Sequence, residues 1–156
     1  MDTPEPRRAT ASDVAAITAL VAAAFDRYVE RIGTPPAPML ADHAELVARG
    51  RVWTIESDGA VAGMVVTVPR DDHLLIDTVA VAPGAAGRGL GRILLDHAER
   101  EAADCGLPEV RLSTNEAMTE NIAYYPRRGY RETGRGVEDG YRRVFFAKTV
   151  RPSPTG

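Results

Sequence analysis

The stretch Val79-Ala80-Val81-Ala82-Pro83-Gly84-Ala85-Ala86-Gly87-Arg88-Gly89-Leu90-Gly91-Arg92 is the part of the chain best suited to hold a ligand. Four glycines fall within eight residues, after a β-rich run and ahead of a helical apolar pattern. Glycine lets backbone amides come close to a ligand, and a helix N-terminus adds partial positive charge, so the stretch is an anion cradle. The anion it suits is a phosphate or pyrophosphate. A Walker loop needs a Gly-Lys-Ser/Thr ending, and the stretch contains no lysine. A dinucleotide fingerprint fits no better: its third glycine slot holds Leu94 when counted from Gly89, and Arg92 when counted from Gly87. A kinase glycine loop lies between two strands, not ahead of a helix. The competing reading is a loop rich in glycine for turn geometry alone.

The elements around this loop follow from apolar spacing and from turn residues. Arg7–Ala9 reads as a short edge strand. Ser12-Asp13 offers an N-cap for a helix carrying Val14, Ile17, Leu20, Val21, Ala24, Phe25 and Tyr28 on one face and ending before Gly33. The Pro-rich stretch 33–38 is expected to be non-helical, and a short helix covers Asp42–Ala48. Val52–Ile55 and Val61–Val68 flank Asp58-Gly59, a two-residue hairpin signal. Leu74–Val81 is a third β-run, Gly89–Cys105 a helix stopped by Gly106, Val110–Thr114 a strand and Met118–Tyr125 a helix. Tyr130–Thr133 and Val144–Lys148 form a final antiparallel pair. This order implies one α/β domain over 1–156 with a mixed, largely antiparallel sheet and helices on both faces. The ends, 1–6 and 151–156, read as mobile tails.

Composition bounds the function. The 156 residues carry 19 basic and 22 acidic side chains, a net charge of -3, which argues against a nucleic-acid binder. One cysteine, Cys105, excludes an internal disulfide, and it reads as an inert packed residue. His43 and His97 show no metal-ligand spacing, so no metal is expected. No apolar run is long enough to span a membrane and no signal peptide is evident, so a cytoplasmic protein is expected.

The run Ala86-Gly87-Arg88-Gly89-Leu90-Gly91 before an amphipathic helix resembles the acetyl-CoA-binding signature Gln/Arg-x-x-Gly-x-Gly/Ala of the GNAT N-acetyltransferases. Independently, Asn121-Ile122-Ala123-Tyr124-Tyr125-Pro126-Arg127-Arg128-Gly129-Tyr130 is similar to that family's late helix and strand. The order and separation of the two stretches agree as well. The resemblance implies a GNAT fold and transfer of an acetyl group from acetyl-CoA to an amine, on a small molecule or a peptide. A homodimer is compatible with it. It implies that the backbone of Val79, Ala80 and Val81 pairs with the pantetheine arm. It also implies that the amides of Gly87, Arg88, Gly89, Leu90, Gly91 and Arg92 receive the pyrophosphate.

Three positions depart from the family pattern. Ala86 stands in the slot of the usual Gln or Arg, which leaves Arg88 or Arg92 to compensate. Met118 stands in the asparagine slot, with Asn115 and Asn121 on either side, and Asn121 is taken as the cofactor contact. Pro126 removes a hydrogen bond from a helix that the family continues. By resemblance Tyr125 is the general acid for the departing thiolate, its register with Gly129-Tyr130 favouring it over Tyr124. The family's strand glutamate corresponds to Leu75, which cannot titrate. Strand alternation puts His73, Leu75 and Asp77 on one face, so His73 and Asp77 are the candidate bases, with Glu116 a further one. The alternative is a CoA-binding regulatory module without catalysis.

Overall fold

The computed structural model describes residues 4–151. In chain order the elements are β1 (Arg7–Arg8), α1 (Val14–Ile32), α2 (His43–Ala48), β2 (Val52–Ser57), β3 (Ala60–Pro69) and β4 (Leu74–Val81). Then come α3 (Leu90–Asp104), β5 (Glu109–Asn115), α4 (Thr119–Arg127), β6 (Arg131–Glu138) and β7 (Tyr141–Thr149). The strands form one seven-stranded sheet in the order β1-β2-β3-β4-β5-β7-β6. The β4–β5 pair is parallel, and β1–β2, β2–β3, β5–β7 and β6–β7 are antiparallel. This is the mixed, largely antiparallel sheet that the element order implies. Of the tails expected at the two ends, residues 1–3 and 152–156 lie outside the described residues, and residues 4–6 carry no regular structure.

The described residues divide into two compact units, 4–67 with 78–97 and 68–77 with 98–151. In the first, α1 buries Ile17, Leu20 and Val21 in a core with Val47, Val52, Met64, Val66 and Ala80. The helix stops at Gly33, whose φ of 86° is open to glycine and whose N–H reaches the Val29 carbonyl at 2.8 Å. At its other end the expected cap acts one turn earlier. A 3₁₀ turn (Ala11–Asp13) precedes α1, and the Asp13 carboxylate accepts from the Thr10 N–H at 2.8 Å and from Arg7. The Arg7 guanidinium holds the Asp13 carboxyl far below the usual carboxylate range. Asp42 caps α2 through the Glu45 N–H at 3.0 Å. The Pro-rich stretch departs from expectation at its end. Ala37–Leu40 winds one 3₁₀ turn, because Pro38 sits in its first turn, where no N–H is needed.

The β2–β3 hairpin turns at Asp58 (φ 55°) and Gly59 (φ 78°), both left-handed as a two-residue primed turn requires. Gly63 on β3 is needed for close approach. A Cβ there would lie 3.0 Å from Ile55, 3.1 Å from Leu94 and 3.3 Å from the Ala80 carbonyl.

In the second unit the Tyr125 ring lies 5.6 Å from Phe146 and 5.8 Å from Tyr130, all three side chains being buried. The last two strands are longer than their residue types suggest. They extend to Glu138 and Tyr141 and meet at a second Asp-Gly turn, Asp139 (φ 54°) and Gly140 (φ 82°). Gly134, Gly136 and the exposed charges dilute the β signal there, and a bulge between Glu132 and Gly134 interrupts the ladder.

Candidate functional site

The cradle belongs to the first unit. Val79 and Val81 are half-buried on one side of β4, while Ala80 between them is buried. Pro83–Ala85 forms a 3₁₀ turn, and Gly87 (φ 84°) and Gly89 (φ 77°) both take left-handed backbone. A Cβ at either glycine would meet nothing within 4 Å, so the dihedral rather than crowding requires glycine. The Ile93 N–H is the first to reach back into the helix, to the Gly89 carbonyl at 3.2 Å. The amides of Leu90, Gly91 and Arg92 ahead of it have no partner within the helix, the arrangement from which a helix N-terminus can receive an anion. The Leu90 side chain is buried, so only its backbone can contribute to such a site.

The two arginines that could replace the missing side chain at Ala86 differ. Arg92 is exposed and forms no ion pair among the described residues. Arg88 donates from Nη1 to Ser57 Oγ and to an Asp58 carboxylate oxygen, both at 2.7 Å.

The titratable candidates belong to the second unit. Pro126 lies in the last turn of α4, so the expected break falls where the helix ends. The Tyr125 carbonyl accepts from the Arg128 N–H at 2.9 Å and the Tyr130 N–H at 3.1 Å, while Gly129 turns the chain at φ 92°. Tyr125 is thereby held in its ring cluster, with Tyr124 edge-on at 5.5 Å. Asn121 Nδ2 donates to Thr114 Oγ1 at 3.1 Å. Asn115 instead accepts the Ala117 N–H at 2.9 Å and shapes the turn before α4. Met118, in the family's asparagine slot, is buried.

Asp77 stands on the open side of β4, exposed at the residue level, whereas Leu74, Ile76, Thr78 and Ala80 are buried. The strand is buried on one face only. Protein around the carboxyl nonetheless pushes its pKa up through desolvation. Arg143 and Arg70 pull it down, and Glu138 adds a push upward. Arg143 and Glu138, which also bond each other, were not singled out from sequence. Register explains their nearness. Asp77 follows the Ile76↔Leu112 rung, Ser113 pairs with Phe145, Asn115 with Arg143, and Gly136 with Arg143. Alternate residues share a face, so Asp77, Ser113, Asn115, Arg143 and Glu138 share one. The second Asp-Gly pair, at 139–140, was the signal that could have found them.

His73 lies four residues before Asp77, roughly 13 Å along an extended strand. Its Nδ1 bonds the Asp72 carboxylate at 2.7 Å, Asp72 pairs with Arg111 at 3.4 Å, and the His73 carbonyl closes the turn on the Arg70 N–H. The strand does not bring His73 beside Asp77. Glu116 is exposed. Arg131 pairs with Glu109 and Arg135 with Glu132. Cys105 is exposed, not packed, because it follows the last helical residue of α3. His43 is buried beside the Thr18 hydroxyl at 3.3 Å, and the His97 ring lies 4.3 Å from that of Trp53. No group of three metal-binding side chains occurs among the described residues. No helix among them is long and apolar enough to cross a membrane.

Residues 16–130 match the acetyltransferase (GNAT) family. The chain is 31% identical over 88 residues to the peptidyl-lysine N-acetyltransferase YjaB of Salmonella typhimurium, covering 56% of this chain and 54% of that protein. It is 32% identical over 84 residues to the Escherichia coli protein of the same name, covering 54% and 50%. The chain thus spans about half the length of the curated relatives it matches. Among solved structures, PaiA N-acetyltransferase from Thermoplasma acidophilum in complex with coenzyme A is similar at a TM-score of 0.78. That likeness covers 95% of this chain and 99% of that one at 13% identity, and speaks for the fold alone. The glycine cradle and the Asn121–Tyr130 stretch both lie inside the matched region, and the chain belongs to the GNAT acetyltransferase family.

Proposed function

We propose that the protein transfers the acetyl group of acetyl-CoA to a primary amine. The observation that carries this reading is the loop at the end of β4. Two left-handed glycines lead into a helix whose first amides are unspent, within a chain of this family. The pyrophosphate binds at the amides of Gly87 to Arg92, and the pantetheine pairs with the backbone of Val79 to Val81. Asn121 is the cofactor-contacting asparagine by the resemblance of its stretch to the family's late helix; its amide is held by the Thr114 hydroxyl, which leaves its carbonyl oxygen able to accept.

The reaction joins the amine nitrogen to the thioester carbonyl and breaks the carbon–sulfur bond. A lysine amine, with an ordinary pKa of ~10.4, must first lose a proton, and the departing thiolate gains one. Tyr125 is the acid that gives a proton to the sulfur. Asp77 is the base that takes the proton from the amine, because its carboxyl is held above the ordinary range. His73 is the second candidate, its Nδ1 held by Asp72 so that Nε2 is the nitrogen that could take a proton. The acceptor follows the relatives: the ε-amine of a lysine in a protein. The second reading, a CoA-binding module without turnover, draws on Leu75 in the family's glutamate slot.

The test is release of CoA thiol from acetyl-CoA in the presence of lysine peptides, polyamines and free amino acids. Turnover with a lysine peptide supports the reading. Acetyl-CoA binding without turnover on any amine would leave the regulatory module.

A further inference from the structure

Arg88 stands between the two left-handed glycines of the loop, residues with no Cβ to restrict the backbone on either side of it. Its guanidinium reaches a hairpin turn 30 residues earlier in the chain, donating from Nη1 to Ser57 Oγ and Asp58 Oδ2 at 2.7 Å. That turn has a defined geometry. Ser57 pairs with Ala60, and Asp58 and Gly59 complete a two-residue primed turn with little latitude. The glycine loop is therefore tied by the side chain at its centre to the turn of the β2–β3 hairpin.

The geometry points to Arg88 as a positioning residue: its bridge to Asp58 holds the glycine loop in the shape that receives the anion, and it does not itself pair with the phosphate. The ligand side of this inference rests on acetyl-CoA being bound at the loop. The alternative use of Arg88 is direct phosphate pairing, with Asp58 merely holding the guanidinium when no ligand is present. The two uses predict opposite signs at Asp58. If the bridge shapes the loop, loss of the Asp58 charge weakens binding. If Asp58 competes with the phosphate, the same loss tightens it.

Asp58→Asn is the discriminating variant, because Asn-Gly keeps the primed turn while removing the charge. It should be compared with Arg88→Gln and the double variant. One readout needs no ligand: ¹⁵N order parameters of the Gly87, Arg88 and Gly89 amides, which report motion on the ps–ns scale. Both single variants should lower them, and the double variant no further. In calorimetry with acetyl-CoA each single variant should raise Kd by about two- to fivefold, as expected for a bridge this exposed. The two losses should not add, and both should shrink at high salt. In turnover the KM for acetyl-CoA should rise while kcat is kept. Unchanged order parameters in Asp58→Asn would overturn the inference, as would unchanged or tighter binding by that variant. A wild-type protein that fails to bind acetyl-CoA removes the proposed function, while the order parameters still decide whether the bridge shapes the loop.

Discussion

The two units present their candidate groups on different parts of the polypeptide. In the first, the groups that would meet a ligand are backbone amides on a loop where Gly87 and Gly89 take left-handed dihedrals. In the second they are side chains. The Tyr125 ring is held among Tyr130 and Phe146, and the Asp77 carboxyl shares a sheet face with Arg143 and Glu138. Backbone chemistry depends on local dihedrals and tolerates many side chains. Side-chain chemistry depends on cross-strand register and on charges brought from far along the chain. Substitutions in the first unit should therefore act on affinity, and those in the second on rate and its pH dependence.

The largest effect is expected at Tyr125. Tyr125→Phe keeps the ring contacts and removes the hydroxyl proposed as the acid, so kcat should fall about 100-fold or more while acetyl-CoA affinity stays within about twofold. Intact turnover would remove Tyr125 from the mechanism. Next is the first unit's packing. Gly63→Val drives a branched side chain into Ile55, Leu94 and the Ala80 carbonyl, and should cost roughly 1–3 kcal/mol in denaturant unfolding. An unchanged midpoint would show that the strand gives way freely.

At the cradle, Gly89→Ala forces a Cβ into left-handed backbone at a cost of about 1–2 kcal/mol. Calorimetry should show acetyl-CoA binding weakened roughly five- to thirtyfold on that account, with kcat at saturation nearly kept. A change confined to kcat would contradict the division between the units.

The smallest effect is a shift in pH profile. A base must be ionised, and burial holds Asp77 above its ordinary value, so activity should fall as pH drops through that raised pKa. Arg143→Gln removes a charge that favours ionisation, so the acid limb of kcat/KM should move to higher pH. Glu138→Gln removes a charge that opposes it, so the limb should move to lower pH. Limbs that move together, or not at all, would detach Asp77 from the rate.

The same contrast explains what could be read from the sequence. Apolar spacing set α1 and α3, and Asp58-Gly59 set the first hairpin, because these are local patterns. The left-handed turns of the glycine loop were legible for the same reason: Gly87 and Gly89 answer to their own dihedrals. The surroundings of Asp77 were not, since Arg143 becomes its neighbour only through the β4–β5–β7 register. The extent of β6 was hidden by Gly134 and Gly136, although Asp139-Gly140 carried the same turn signal that had been used at 58–59. Pro126 was legible as a break, but only the structure shows it in the last turn of α4, with Tyr125 still buried.

The most direct measurement is a calorimetric titration with acetyl-CoA, using ATP and NAD as controls. Micromolar binding to acetyl-CoA and none to the controls is the predicted result. No binding to acetyl-CoA, or equal binding to all three, would contradict the assignment of the glycine loop and the acetyl transfer built on it.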